Sequence, residues 1–236
     1  MARRILITLL ICPLIALAAG EALLFYASAL GIEDTEQEKR DEDNPHDVRL
    51  IVDPLRNWLV VYVDGKLFKQ YPIALGKEET PTPVGDFVVI SKHQNWARWF
   101  GTRWIGLNVQ WGTYGIHGTN RPESIGRDAS HGCIRMLNRD VEELYELVKI
   151  GTRVTILGHV LGEPDQAPRR LAKGHVGADV MLVQNRLKAA GYYQGPVNGK
   201  FGELTDQAMR TFEREVGLQV DGVVGIYDYM ALGLVE

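Results

Sequence analysis

From Val48 to Leu157 the apolar residues fall in short β-type runs broken by turn signals, whereas beyond Gly174 they recur at helical spacing. Val48-Arg49-Leu50-Ile51-Val52, Trp58-Leu59-Val60-Val61-Tyr62-Val63 and Lys66-Leu67-Phe68-Lys69-Gln70-Tyr71 are rich in β-branched and aromatic residues and predict strands. Asp64-Gly65 joins the last two as a hairpin dipeptide, because both residue types tolerate positive φ. A proline-punctuated loop, Thr80-Pro81-Thr82-Pro83, leads to a further strand at Gly85-Asp86-Phe87-Val88-Val89-Ile90, and Arg153 to Leu157 supplies another. Between them lies one helix, with Asn138 as N-cap, Val141, Leu144 and Val148 as the apolar stripe, and Gly151 as the stop.

The second half reads differently. Residues 159–173 carry Pro164 and Pro168 with little apolar periodicity, which suits a linker. Val180, Val183, Leu187 and Ala190 then fall on one helical face, as do Met209, Phe212 and Val216. Val197-Asn198-Gly199-Lys200-Phe201-Gly202 returns as Val220-Asp221-Gly222-Val223-Val224-Gly225. Each copy reads as a turn followed by a helix start, with Thr205 and Asp228 as candidate caps. The fold class expected is therefore a mainly β domain, β-sandwich-like with one helix, over 48–158, followed by a small all-α three-helix domain over 174–236.

Charge and the N-terminus add compartment to this picture. The net charge of −4 makes no case for a nucleic-acid partner. Eight acids between Glu33 and Asp47 against Lys39 and Arg40 give a local net of −6, leaving about +2 elsewhere, so 33–47 reads as a solvated acidic linker. Ahead of it, Arg3-Arg4 precede apolar runs over 5–20 and 22–32, the arrangement of a signal peptide or signal-anchor helix. Ala27-Ser28-Ala29 is a plausible cleavage site, while the total apolar length favours an uncleaved membrane anchor. Either outcome places the rest of the chain outside the cytoplasm. Nothing in the sequence bears on oligomeric state.

Export makes Cys133 notable, since its only possible partner, Cys12, lies inside the apolar N-terminal run. A thiol nucleophile needs a base, and His117 and His131 are the candidates. If 130–136 is extended, His131 and Cys133 are neighbours on one face and too constrained to pair well, whereas His117 approaches from another segment. No acidic residue adjoins His117, so the Gly118 carbonyl is the natural group to orient it. Gly132 permits close approach of a substrate carbonyl, and the Gly132 and Cys133 amides are candidate oxyanion donors. Zinc binding by His117, His131 and Cys133 is the weaker alternative, for want of a fourth ligand and of any Cys-x-x-Cys or His-Glu-x-x-His spacing. Trp96, Trp99, Trp104 and Trp111 read as core rather than as site residues.

His117-Gly118-Thr119-Asn120, followed by Ser130-His131-Gly132-Cys133-Ile134-Arg135-Met136, resembles the signature of the YkuD-type L,D-transpeptidases of peptidoglycan. The resemblance extends over Val48 to Leu157 and includes Thr82-Pro83-Val84-Gly85-Asp86-Phe87. Gly174 to Leu234 resembles the three-helix peptidoglycan-binding module. The resemblance implies that Cys133 forms a thioester with a stem tetrapeptide and that an amine from a neighbouring stem resolves it into a 3→3 cross-link. It implies His117 as proton acceptor and donor, Gly118 as its orienting carbonyl, His131 and Gly132 at the oxyanion site, and Ser130 and Arg135 toward substrate. No metal or cofactor is implied, and the partners are peptidoglycan stem peptides and glycan at the cell surface. An L,D-carboxypeptidase and a non-catalytic wall-binding protein are the alternatives.

Overall fold

The computed structural model describes residues 46–78, 80–163 and 165–236. The expectations for the N-terminal apolar run, the acidic linker and Cys12 lie outside them, apart from His46 and Asp47. Nine strands come first: β1 (Val48–Asp53), β2 (Trp58–Val63), β3 (Lys66–Gly76), β4 (Gly85–Gln94), β5 (Arg103–Leu107), β6 (Tyr114–Thr119), β7 (Asp128–Ser130), β8 (Ile134–Leu137) and, after helix α1 (Asn138–Leu147), β9 (Arg153–Ile156). Three helices follow: α2 (Ala178–Ala189), α3 (Glu203–Val216) and α4 (Ile226–Ala231).

The strands are ordered β2-β1-β9-β4-β5-β6-β8-β3-β7, and β3 also pairs with β2, so the sheet closes on itself. Closure depends on the length of β3, which continues beyond Tyr71. Its first part pairs antiparallel with β2, while Ile73 and Ala74 pair with Met136 and Arg135 of β8. The hairpin between β2 and β3 turns at Asp64 and Gly65 with φ of 53° and 73°. Side chains of alternating positions fill the space between the faces: Leu50, Val52, Leu59, Val61, Ile73, Val89, Ile105, Ile116 and Val154 are all buried. Each fully buried aliphatic side chain contributes roughly 1.5–3 kcal/mol.

Helix α1 lays Val141 and Leu144 into this core, with Val148 just beyond its end. Asn138 is its first residue and not its cap, a position held by Leu137. The Asn138 Oδ1 instead accepts the Thr102 N–H at 3.3 Å, so a long-range bond replaces the local one. The helix stops at Leu147, ahead of Gly151, where Lys92 Nζ donates to the carbonyls of Tyr145 (2.6 Å) and Val148 (2.7 Å). A cation at that end meets the negative pole of the helix.

The helical module has its own core of Val180, Val183, Leu187, Met209, Phe212, Val224 and Tyr229. Its packing starts before Gly174: Leu171 is fully buried in it and exchanges backbone hydrogen bonds with Val224 at 3.0 and 2.8 Å. Thr205 and Asp228 are not N-caps, since Gly202 and Gly225 hold those positions. Asp228 reaches back to accept the Gly225 N–H at 2.9 Å, while Thr205 Oγ1 accepts from the buried Gln184 amide at 3.1 Å.

Candidate active site

Strands β6 and β8 are parallel neighbours in which His117 stands opposite Arg135, so the two side chains share a face. Cys133 precedes β8 by one residue, and its thiol lies against Thr113 O and the N–H of Gly115, two residues before His117 in β6. The turn that delivers it departs from the extended course expected for 130–136. Gly132 has φ 105°, and a Cβ there would stand 2.7 Å from Tyr114 Cε1 and 3.1 Å from the Pro81 carbonyl oxygen. Only glycine fits that conformation and that space. The reversal sends His131 into solvent and leaves Cys133 half-buried, so these two side chains do not act as same-face neighbours.

Ser130 governs this turn. Its hydroxyl accepts the Gly132 N–H at 2.9 Å and donates to the Cys133 carbonyl at 2.6 Å, and the residue is only 1% exposed. That geometry bears on two of the expected site residues. Ser130 is buried, and its hydroxyl proton is committed to the turn. Gly132 N–H is already bonded and is not an open oxyanion donor, whereas the Cys133 N–H has no acceptor among the described residues.

His117 is buried at 3% exposure, with Nδ1 2.6 Å from the Gly118 carbonyl oxygen. A carbonyl only accepts, so Nδ1 carries the proton and Nε2 presents a lone pair. Gly118 itself faces Asn138 Oδ1, with the Thr102 nitrogen 3.1 Å from where a Cβ would sit. Burial lowers the His117 pKa to about 4 against the support of the Gly118 bond, and the charge of Arg135 lowers it further. Burial likewise raises the Cys133 thiol, opposed by the Gly115 N–H and by Arg135. At neutral pH the pair therefore rests as neutral imidazole and protonated thiol. Arg135 is half-buried and pairs with no carboxylate among the described residues, which leaves its charge directed at the site.

The segment 111–115 is the part of the site that sequence reasoning missed. Thr113 O lies 4.0 Å from Cys133 Sγ, and the Gly115 N–H favours the thiolate. The Tyr114 phenol is pushed up by burial and by the charge of Cys133. Gly115 inside a strand was the available signal, since such glycines mark close backbone approach. The aromatic residues divide. Trp104 is buried, stacked on His117 at 5.9 Å, and Phe100 meets the same ring edge-on at 4.8 Å. Trp96 and Trp99 are 47% and 77% exposed and are not core. Among the described residues no group of three or more His, Cys, Asp or Glu side chains is placed to hold a metal ion. A cleft of about 680 Å³ lined by Arg49, Tyr62, Asp86, Asn108, Arg153 and Thr155 shares no residue with this site.

Comparison with known proteins bears on both halves. Residues 47–156 match the L,D-transpeptidase catalytic domain family, and residues 176–226 match a putative peptidoglycan binding domain. A putative L,D-transpeptidase YkuD of Bacillus licheniformis is 52% identical over 98 residues, covering 42% of this chain and 58% of its own length. A putative L,D-transpeptidase YqjB of Bacillus subtilis is 41% identical over 128 residues, covering 48% of this chain and 72% of that protein. The chain thus spans 58% of the length of the first two curated relatives it matches. Among solved structures, the catalytic domain of an E. faecium L,D-transpeptidase is 30% identical, covering 47% of this chain and 97% of that one, with a TM-score of 0.42.

Proposed function

The chain belongs to the L,D-transpeptidase family, and from that premise we propose that it is a cysteine acyltransferase that joins peptidoglycan stems through 3→3 cross-links. The observation that carries the proposal is a thiol set against the Gly115 N–H of β6, the strand that also carries a buried imidazole whose Nδ1 is held by Gly118. In the first half-reaction Cys133 Sγ attacks the carbonyl of stem residue three while His117 Nε2 takes the thiol proton. Negative charge gathers on the carbonyl oxygen, with the Cys133 N–H as its donor. When the intermediate collapses, His117 returns that proton to the departing D-alanine amine and a thioester remains.

The second half-reaction reverses these roles. An amine of a neighbouring stem attacks the thioester, its proton passes to His117, and the thiol leaves with a proton restored. Arg135, with no carboxylate partner among the described residues and its charge felt by both groups, binds the carboxylate of the donor stem. The module over 174–236 holds the enzyme to the wall polymer, and the N-terminal segment places it outside the cytoplasm, membrane-anchored or secreted. Among the described residues no helix is long and apolar enough to cross a membrane.

Intact-mass analysis of the protein with a tetrapeptide stem tests this reading. The expected product is one covalent adduct on Cys133 equal to the stem less its terminal alanine, absent in Cys133→Ala and unaffected by chelator. Adding an acceptor amine should discharge it into a cross-linked dimer. Discharge to the free tripeptide alone would make the enzyme a carboxypeptidase, and no adduct on wild-type protein would leave only wall binding.

A further inference from the structure

Trp111 connects the two halves of the protein. It opens the segment 111–115 whose later residues surround the nucleophile, with Thr113 O at the sulfur, Gly115 N–H favouring the thiolate and the Tyr114 ring against Gly132. On one side its indole packs on the β core, edge-on to Phe87 at 6.4 Å. On the other it meets the helical module. A Cβ at Gly199 would stand 2.6 Å from Trp111 Cε3, 2.8 Å from the Gly177 carbonyl oxygen and 3.0 Å from Met181 Cγ.

The turn that receives the indole is stiff. Gly199 has φ 68°, and the Asn198 and Gly199 N–H groups both donate to Gln184 Oε1 at 3.0 Å. Gln184 is fully buried, and Gly199 O accepts the Gly177 N–H at 2.9 Å. The repeated turn at Gly222 has the same φ of 68° but faces Asp206 and Arg210 of its own module. Of two matched turns, only the first is turned toward the catalytic half. The indole is thus a direct packing contact between the segment beside Cys133 and the module.

We infer that Trp111 is a positioning residue through which the Gly199 turn of the module fixes the 111–115 segment around Cys133, so that the module sets the reactivity of the thiol as well as binding the wall. The inference deepens the proposed cysteine chemistry and rests on it, but its central test needs no substrate. In the full chain, alkylation of Cys133 by iodoacetamide is followed across pH by peptide mass. Gly199→Ala, which adds a methyl against the indole, should change the rate about fivefold or more and move its pH midpoint. Gly222→Ala, strained to the same degree but facing away, should leave both unchanged.

Trp111→Phe removes the indole N–H that bonds the Tyr114 phenol and reshapes the ring facing Gly199, so it should move the alkylation profile at least as far as Gly199→Ala and serves if that variant does not fold. Soluble tetrapeptide, too small to engage the module, should then acylate about tenfold more slowly in both variants, through kcat with KM held. Wild-type alkylation profiles in folded Gly199→Ala and Trp111→Phe would overturn the inference and reduce the module to a tether. A failure of the cysteine reading would show itself differently, as an unacylated wild-type enzyme whose thiol still responds to these substitutions.

Discussion

Each half of this protein uses one buried polar side chain to fasten a glycine turn, and the two fastenings differ in what they leave over. Gln184 satisfies the module turn completely: Oε1 accepts two N–H groups, and Nε2 reaches Lys200 O at 3.0 Å and Thr205 Oγ1 at 3.1 Å. Ser130 fastens the catalytic turn with two bonds and leaves the Cys133 N–H and thiol without strong partners. Complete satisfaction makes a rigid support, whereas incomplete satisfaction at a rigid place makes a site with room for a ligand's charge.

Substitutions in the two turns should separate these uses. The largest effect falls on the base: His117→Ala should slow thioester formation by about 10²–10⁴-fold, read by single-turnover mass spectrometry. Next, Ser130→Ala should lower the acylation rate about tenfold while costing roughly 1–3 kcal/mol in urea unfolding, because it orphans a buried Gly132 N–H. Gln184→Ala should invert that balance, with roughly 2–4 kcal/mol lost in unfolding and a smaller loss of rate. A larger loss of rate than that of Ser130→Ala would break the comparison.

Titration gives a second pair of tests with opposite signs. The His117 pKa is depressed to about 4 in the folded state, so the unfolded chain binds more protons between there and the ordinary histidine value of 6.5. Stability should therefore fall as pH is lowered through that window, by about 3 kcal/mol for this group, and His117→Gln should flatten the slope. The acid limb of kcat/KM should likewise fall near pH 4, with activity held above it by the neutral imidazole. Glu213 behaves in the reverse sense. Burial raises its pKa, although its two oxygens accept the Gly222 N–H at 3.1 and 3.0 Å. Glu213→Gln keeps an acceptor and removes a buried charge, so at neutral pH it should change unfolding stability by less than about 1 kcal/mol.

Legibility in the sequence followed the locality of the interactions. The β1 to β3 strands, the Asp64-Gly65 hairpin and the stripe of Val141, Leu144 and Val148 could be read because each depends on neighbours in the chain. The bond from His117 to its adjacent carbonyl was legible for the same reason. What escaped was long-range. Asn138 and Thr205 have the residue types of local caps, but the bond from Thr102 to Asn138 crosses 36 residues and that from Gln184 to Thr205 crosses 21. Proximity to Cys133 in sequence does not reveal that the Ser130 hydroxyl turns inward. Trp104 and Phe100 enclose His117 only once β5 and β6 are paired.

The protonated resting state of Cys133 has a further chemical consequence. Peroxide and foreign disulfides attack thiolates, and a sulfur held as S–H by burial offers them little to react with. In the proposed mechanism His117 removes the proton only once a carbonyl stands at the sulfur, so the group stays chemically quiet until its electrophile arrives. On that proposal, durability against oxidants and readiness for acyl transfer come from the same shielding of one atom.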